Sequence, residues 1–287
     1  EVLPAHVRQQ CQHLGVEHIL LGVDHLLFVL GLLLIVRARW ALVKTITAVT
    51  VNNRLRKLTA FVNWCKANGY VTDNPLAGMK VMTGSAKEAR LSFDRHDLVA
   101  LLDHEALRKE ARKNPWRYWL PLLGRATGAR LEELCQLRVD DFIEQQGIQC
   151  IRIDDNGAGQ NLKNASSRRV IPLHPSLLDM GLLQHIESVK ATGAVRVFPE
   201  LEAVRGKLGH APSKWFGRYK IKQGVTDGRK TFHSFRHTLI DDLRDAGVQD
   251  SLIKRIAGHE DAAVTFSVYG SRSPIRAMLD ALSHIRL

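Results

Sequence analysis

The chain has 287 residues, 45% of them hydrophobic, which is enough for one large domain or two smaller domains with buried cores. Its 41 Lys and Arg residues against 29 Asp and Glu give a net charge of +12, which indicates a polyanionic partner, either nucleic acid or an anionic membrane surface. None of the four cysteines forms a C-x-x-C pair, which argues against a structural zinc site. Cys65 and Cys135 fall at apolar helical positions, so we predict buried thiols in a reducing compartment.

The first fifty residues differ from the rest. Residues 19–36 form an apolar run that only Asp24 and His25 interrupt, close to the ~20 residues that span a bilayer. Basic residues follow at 37, 39 and 44 and would place the downstream chain in the cytoplasm. A membrane helix and a buried helix with satisfied histidines both remain open here.

The stretch "GVEHILLGVDH" repeats a glycine, an acid and a histidine at a spacing of seven, which puts both acid–histidine pairs on one helix face. With the residues that follow it, this stretch resembles part of the hydrogenase/urease accessory membrane proteins, a family linked to nickel. The resemblance covers about residues 10–50 and then stops. We therefore interpret residues 1–50 as a membrane-protein-like hydrophobic remnant, with membrane contact through residues 19–36 left open.

From residue 51 the pattern changes to that of a mainly α protein with a small antiparallel β-sheet. Apolar residues at three- and four-residue spacing predict a helix at about 52–68 that ends near Gly69, and residues 79–90 have the composition of a basic linker. A new helix is predicted after Asp94 as its N-cap, and two further helices are broken at Thr127-Gly128. The stretches "IQCIRID" and "RRVIPLH" predict a strand pair, and helical patterns return at 176–191, 213–223, 234–246 and 250–257.

Several polar residues are candidates for an anion site. Arg130 lies at a predicted helix N-terminus, where free N–H groups already favour an anion, and Glu133 one turn later is placed to hold it. Lys163 lies in the hairpin before "SSRRVIPL". Either residue alone is more often a solvent-exposed side chain.

The stretch "TFHSFRHTL" places His233 and Arg236 on one face at a helix start. His233 and His237 have an i, i+4 spacing that a zinc site would use, but the arginine between them would put a fixed positive charge beside the metal. A phosphate site therefore fits this cluster better. Farther along, Gly258-His259 ends a predicted helix, and Tyr269 follows ten residues later.

Taken in order, Arg130, Lys163, His233, Arg236, His259 and Tyr269 resemble the signature of the tyrosine recombinases, the phage integrase family. The flanking stretches "TGARLEELCQLRVDDF", "TFHSFRHT" and "IKRIAGHE" are similar as well, and the resemblance runs from about residue 52 to 287. It implies the catalytic-domain fold of that family at 85–287, after a residual core-binding helix and linker at 51–84. It also implies double-stranded DNA as a partner and a homo-tetramer on that DNA.

The resemblance implies a reaction without metal, cofactor or ATP. Tyr269 would attack a DNA phosphodiester to form a 3′-phosphotyrosine, and Arg130 and Arg236 would clamp the phosphate. His259 would bind a non-bridging oxygen, His233 would position or deprotonate Tyr269, and Lys163 would protonate the leaving 5′-oxygen. Because only the last helix of the core-binding domain is recognisable, we expect weakened DNA binding.

Two other functions remain open at this stage. One is a type IB topoisomerase-like enzyme, and the other is a membrane-tethered nickel-linked accessory protein with a DNA-binding C-terminal part. Near the C-terminus, an apolar stripe formed by Ile275, Met278, Leu279 and Leu282 would either close the core of its own domain, which we favour, or dock on a neighbour.

Overall fold

The computed structural model describes residues 48–82, 90–112, 114–162, 164, 167–258 and 274–287. The chain divides into two compact units, residues 1–87 and 88–287. Within these described ranges, no helix is both long and apolar enough to cross a membrane. The apolar run at 19–36 and its acid–histidine pairs lie outside the described residues.

The described part of the first unit consists of helix α1, Ala48–Ala67, and the turn-rich segment that follows it. The predicted helix at 52–68 is confirmed, with an earlier start. The helix buries none of its residues, and Phe61 and Trp64 are 60% and 54% exposed. The prediction of a buried Cys65 is wrong, since its thiol is only half-buried. A helical side chain is buried only by a second layer. The described residues after α1 supply edge contacts to it, such as the hydrogen bond from Val81 N–H to Asn52 Oδ1 and the stacking of Tyr70 on Trp64.

The second unit is mainly helical with one small antiparallel sheet, and the predicted fold class is confirmed. Its described helices are α2 Arg95–Leu101, α3 His104–Ala111, α4 Trp116–Thr127, α5 Leu131–Cys135, α6 Pro175–Asp179, α7 Leu182–Ala191, α8 His210–Lys222, α9 Ser234–Asp245, α10 Asp250–Ala257 and α11 Ile275–Ser283. Its described strands are β1 Phe142–Gln145, β2 Ile148–Ile153 and β3 Arg169–Pro172.

The sheet has the order β1-β2-β3, with Phe142 opposite Ile151 and Ile151 opposite Ile171. The predicted pair, β2 and β3, is confirmed, whereas β1 was not predicted. A two-residue turn joins β1 to β2, and both of its residues have positive φ, +58° at Gln146 and +72° at Gly147. Such turns are usually recognised by Asn-Gly or Asp-Gly, so Gln at the first position conceals the hairpin.

Helix boundaries follow local capping. Asp94 caps α2 as predicted, by accepting a hydrogen bond from the N–H of Asp97. The helix predicted after it is divided, because Asp103 caps a new helix, α3. The helix predicted at 176–191 is likewise divided into α6 and α7 at Gly181, whose φ of +88° a helix cannot contain.

Helix α4 forms the centre of the core and packs against α9. Most of its residues are buried, including Leu120, Leu122 and Leu123. At Gly124 the two helices approach closely, and a Cβ there would lie 2.7 Å from a ring carbon of Phe232. This contact fixes the start of α9, which carries the His233 and Arg236 cluster.

The C-terminal helix α11 closes the core of its own unit, as we favoured, instead of leaving an apolar stripe for a neighbour. Ile275, Met278 and Leu282 are buried, and α11 packs on β3. The tail after α11 is also held, since a ring nitrogen of His174, Nε2, lies 3.0 Å from the carbonyl oxygen of Ile285.

Candidate active site

Arg130 is positioned by the sharp turn between α4 and α5. Gly128 ends α4 in the left-handed region, with φ of +61°, and a Cβ there would lie 2.8 Å from Leu239 Cδ2. The N–H of Arg130 then donates to Glu133 Oε2 at 3.0 Å. The predicted break at Thr127-Gly128 is thereby confirmed, and the turn places the Arg130 side chain at the beginning of α5.

Glu133 holds two guanidinium groups at once. Its Oε1 accepts from Arg130 Nη1 at 2.6 Å, and its Oε2 accepts from Arg169 Nη2 at 2.9 Å. Burial raises the pKa of this carboxyl, but the positive charges of Arg169 and Arg130 outweigh burial, and the net shift of the pKa is downward. Glu133 is therefore an ionised, 4% exposed carboxylate that fixes Arg130, as the sequence predicted.

Arg236 lies in the first turn of α9 and is 2% exposed. Its Nη1 donates to the carbonyl of Gly128 at 2.9 Å and to the carbonyl of Ala257. Its Nη2 is buried and has no hydrogen-bond partner within the described part of the chain. Burial, with the nearby charges of Arg169 and Arg130, lowers the pKa of Arg236 to about 10, so it is still a cation at neutral pH.

His233, the N-cap residue of α9, lies next to His237 of that helix, with ring centroids 4.9 Å apart and nearly perpendicular planes. Burial first, and then the positive charges of His237 and Arg236, lower the pKa of His233 to about 4. His233 is therefore neutral at pH 7 and able to accept a proton. Among the described residues, no group of three or more His, Cys, Asp or Glu side chains is arranged to hold a metal ion.

The structure brings together three of the six predicted site residues: Arg130, His233 and Arg236. Arg130 and Arg236 are linked through the turn at Gly128, and both arginines contribute to the lowered pKa of His233. Lys163, His259 and Tyr269 lie outside the described residues. The segments next to two of them are described, since Ser167 Oγ accepts from Arg130 Nη1 at 3.0 Å and Gly258 ends α10 with φ of +68°.

Arg169 is a further buried residue of this site that was not predicted from the sequence. Its side chain is buried between β3 and α10, where it contacts Glu133, the carbonyl of Ser167 and the carbonyl of Ile256. The sequence does indicate that this side chain is buried. Arg169 is two residues before the core residue Ile171 and therefore lies on the same face of the strand. An arginine at a core-facing position of a strand indicates a buried ionic partner.

Two family models match parts of this chain. The model of the phage integrase family matches residues 93–274, more than half of the chain. The model described as HupE / UreJ protein matches residues 3–100, which confirms the resemblance noted for the N-terminal segment. That match extends well beyond residue 50, where the sequence analysis ended the resemblance, and it includes α1.

Two curated relatives cover most of the chain. This chain is 27% identical over 253 residues to the putative defective protein IntQ of Escherichia coli. It is 29% identical over 255 residues to a XerC-like tyrosine recombinase of Caldanaerobacter subterraneus. The alignments cover 78% and 79% of this chain but only 60% and 62% of these relatives, so the chain spans about three fifths of their length.

Solved structures establish the fold. The Tn1549 transposon integrase in complex with circular intermediate DNA is 20% identical, with a TM-score of 0.57 over 96% of this chain and 97% of that chain. The XerH site-specific recombinase bound to its difH substrate is 18% identical, with a TM-score of 0.54 over 76% of this chain and 62% of that chain. The second unit thus has the tyrosine recombinase catalytic-domain fold. With the family model matched over most of that unit, the chain belongs to the phage integrase family.

Proposed function

We propose that this protein is a site-specific recombinase that cleaves and rejoins double-stranded DNA through a 3′-phosphotyrosine intermediate. The observation that carries the proposal is the cluster of three guanidinium groups, those of Arg130, Arg169 and Arg236, around the single carboxylate of Glu133. A buried excess of positive charge of this kind suits an anionic transition state. It lies within the segment that the phage integrase family model matches.

Tyr269 is the proposed nucleophile. The chain has four tyrosines, and the described ones are placed for structural roles. Tyr219 is buried and donates to the carbonyl of Leu101 at 3.1 Å, and burial raises the pKa of its hydroxyl. Tyr118 is also buried, and its hydroxyl lies 3.1 Å from His104 Nδ1. Tyr70 stacks on Trp64 in the first unit.

The proposed reaction is a transesterification, which exchanges one phosphate ester bond for another and consumes no co-reactant. The Tyr269 oxygen bonds to phosphorus, the bond to the 5′-oxygen breaks, and the phosphate stays linked to the protein. A neutral His233 can position the Tyr269 hydroxyl or accept its proton. Lys163 supplies a proton to the leaving 5′-oxygen. Attack by a 5′-hydroxyl reverses the step, so rejoining needs no ATP.

Arg130, Arg236 and His259 are proposed to bind the non-bridging oxygens. Arg130 uses only Nη1 in the hydrogen bonds formed within the described ranges, which leaves the rest of its guanidinium fork to a phosphate. The fixed charges of the two arginines replace the charge that a metal ion supplies in other nucleases. We therefore propose catalysis without metal or cofactor.

The proposed organisation follows the resemblance. Residues 85–287 are the catalytic domain, residues 51–84 a residual core-binding helix and linker, and residues 1–50 the membrane-protein-like remnant. The partner is double-stranded DNA, on which the protein acts as a homo-tetramer in the cytoplasm. Because phosphate contacts dominate DNA affinity, a reduced core-binding domain predicts weaker and less specific binding than a two-domain relative has. The dependence of affinity on salt should be shallower, since fewer phosphates are neutralised.

The test is covalent trapping on nicked suicide DNA that carries candidate sites from the chain's own genomic neighbourhood. The unaltered chain is expected to give a protein–DNA adduct that survives denaturation, and Tyr269→Phe none. Tyr70→Phe is the matched control and should trap DNA normally. An adduct that persists in Tyr269→Phe would refute the assignment of the nucleophile.

The match to the HupE / UreJ protein model over residues 3–100 favours a second candidate, a membrane-tethered nickel-linked accessory protein with a DNA-binding C-terminal part. This function requires stable membrane insertion and forms no phosphotyrosine. Fractionation of the tagged chain separates the candidates, because the accessory protein would stay in the membrane after washing with high salt and alkali. Recovery in the soluble fraction would exclude the tether.

A further inference from the structure

One buried arginine connects the segments that support the proposed phosphate clamp. The Arg169 side chain is 4% exposed, and each of its three nitrogens donates to a different acceptor. Nε donates to the carbonyl of Ile256 at 3.0 Å, Nη1 to the carbonyl of Ser167 at 2.7 Å, and Nη2 to Glu133 Oε2 at 2.9 Å. It therefore links β3 to the end of α10 and to the beginning of α5.

These acceptors also support the two clamp arginines. Glu133 is shared, since its other oxygen holds Arg130. The carbonyl of Ile256 is next along the chain to that of Ala257, which accepts from Arg236. Arg169 thus contacts the carboxylate that orients Arg130 and the helix end that Arg236 holds.

The fold accommodates this arginine closely. Gly258, at the end of α10, lies against its guanidinium, and a Cβ at that position would be 2.8 Å from Arg169 Nη1 and 3.1 Å from Cζ. The close approach of a glycine to a guanidinium whose three nitrogens all donate hydrogen bonds restricts the position of Arg169. A rigid planar fork is suited to such a junction because its donors point in fixed directions.

We propose that Arg169 is a positioning residue for DNA cleavage, which sets the geometry of Arg130 and Arg236 without touching the phosphate itself. This inference rests on the proposed function. Arg169 and the backbone N–H of Arg130 both donate to Oε2 of Glu133, which leaves Oε1 to the Arg130 guanidinium and keeps part of the Arg130 fork available. When Arg169 is removed, Oε2 of Glu133 keeps the backbone N–H of Arg130 and can accept a second hydrogen bond, from the Arg130 guanidinium. The end of α10 then loses one of its two arginine contacts.

The test compares cleavage of two suicide DNA substrates, one with a normal scissile phosphodiester and one with a neutral methylphosphonate at that position. The methylphosphonate lacks the charge that the clamp neutralises, so a misplaced clamp matters less for it. Arg169→Met is expected to cleave the phosphodiester about 100-fold more slowly than the unaltered chain does. Its defect on the methylphosphonate should be about tenfold smaller. Arg169→Lys keeps the charge but not the guanidinium fork, and its cleavage defect should likewise be larger on the phosphodiester than on the methylphosphonate. It replaces Arg169→Met in this test if the Met variant does not fold.

Arg125→Met is the matched control. Arg125 is as buried as Arg169, pairs with Asp242 and donates to the carbonyl of Arg286 at 3.3 Å, and contacts none of the site residues. This variant loses stability in the same way, but any defect in cleavage should be equal on the two substrates. Equal defects on both substrates for Arg169→Met, or cleavage of the phosphodiester at the unaltered rate, would overturn the proposal.

A crystal structure of the full chain with Arg169→Met separates this inference from the proposed function. We expect the Arg130 guanidinium to move by about 1 Å or more and to contact both oxygens of Glu133. An Arg130 guanidinium that stays in place and contacts only Oε1 of Glu133 overturns the positioning role even if the unaltered chain cleaves DNA. Failure of the unaltered chain to form any adduct, with Arg130 displaced in the variant, refutes the proposed function and leaves the positioning role standing.

Discussion

Substitution of Gly258 by alanine tests the close packing at the end of α10. Gly258 ends the helix in the left-handed region, with φ of +68°, and it lies directly against the Arg169 guanidinium. An alanine has two separate costs at this position. Its backbone would be strained, and its Cβ would be too close to a side chain that three hydrogen bonds hold in place.

The size of each cost can be estimated. The left-handed conformation costs a residue with a Cβ about 1–2 kcal/mol. The new Cβ would lie 2.8 Å from Nη1, 3.1 Å from Cδ and 3.1 Å from Cζ of Arg169, and overpacking of this kind costs about 1–3 kcal/mol. The free energy of unfolding should therefore fall by about 2–5 kcal/mol.

Gly247→Ala is the matched control. Gly247 follows the neighbouring helix α9 and has φ of +74°, but a Cβ there would have no atom within 4 Å. Only the conformational cost of about 1–2 kcal/mol applies to it. The difference between the two variants isolates the contact with Arg169.

The assay is urea unfolding of the full chain, followed by tryptophan fluorescence. Trp116, Trp119 and Trp215 are buried in the second unit and report on its unfolding. A lower midpoint with an unchanged dependence on urea is expected, and it should be clearly lower for Gly258→Ala than for Gly247→Ala. Equal destabilisation by the two substitutions would show that Arg169 yields to the new Cβ, and it would refute the reasoning.

Three further predictions concern protonation, metal and thiols. The pKa of His233 is about 4 in the folded state and about 6.5 in the unfolded chain, so the free energy of unfolding should fall as the pH falls from 6.5 towards 4. His233→Asn should reduce this dependence on pH, as measured by thermal unfolding. An unaltered dependence would contradict the lowered pKa of His233. Cleavage of suicide DNA should continue in EDTA because arginines neutralise the phosphate, and loss of cleavage that a divalent ion restores would refute this. Iodoacetamide should label the half-buried Cys65 before the buried Cys135, because burial raises the pKa of the Cys135 thiol. Peptide mass spectrometry measures the two labelling rates. Equal rates would be inconsistent with the packing of α5.

Much of the fold was predictable because local patterns and packing agree. The break at Gly128, the cap at Asp94 and the end of α10 at Gly258 all correspond to residues whose local chemistry matches their backbone. The sequence did not predict β1, because Gln146 adopts a positive φ that its residue type rarely indicates. It also misjudged Cys65, because helical periodicity identifies an apolar face and not whether anything covers that face.

The site was predictable where residue type and position coincide. Arg130 at a helix start, with Glu133 one turn later, specifies the ion pair that the structure contains. Arg169 escaped prediction because its partners lie 36 residues before it and 87 residues after it along the chain. The strand pattern indicates that Arg169 faces the core, but the packing of α5, β3 and α10 decides which partners it meets there, and no local pattern describes that packing.

The most direct test of the account is to identify the residue that carries DNA in the trapped adduct. The adduct should be digested with nuclease and trypsin, and the phosphorylated peptides sequenced by mass spectrometry. We predict the modification on Tyr269, within the peptide "IAGHEDAAVTFSVYGSR" that spans residues 256–272. Modification of Tyr70, within "ANGYVTDNPLAGMK", or of a serine or histidine would contradict it.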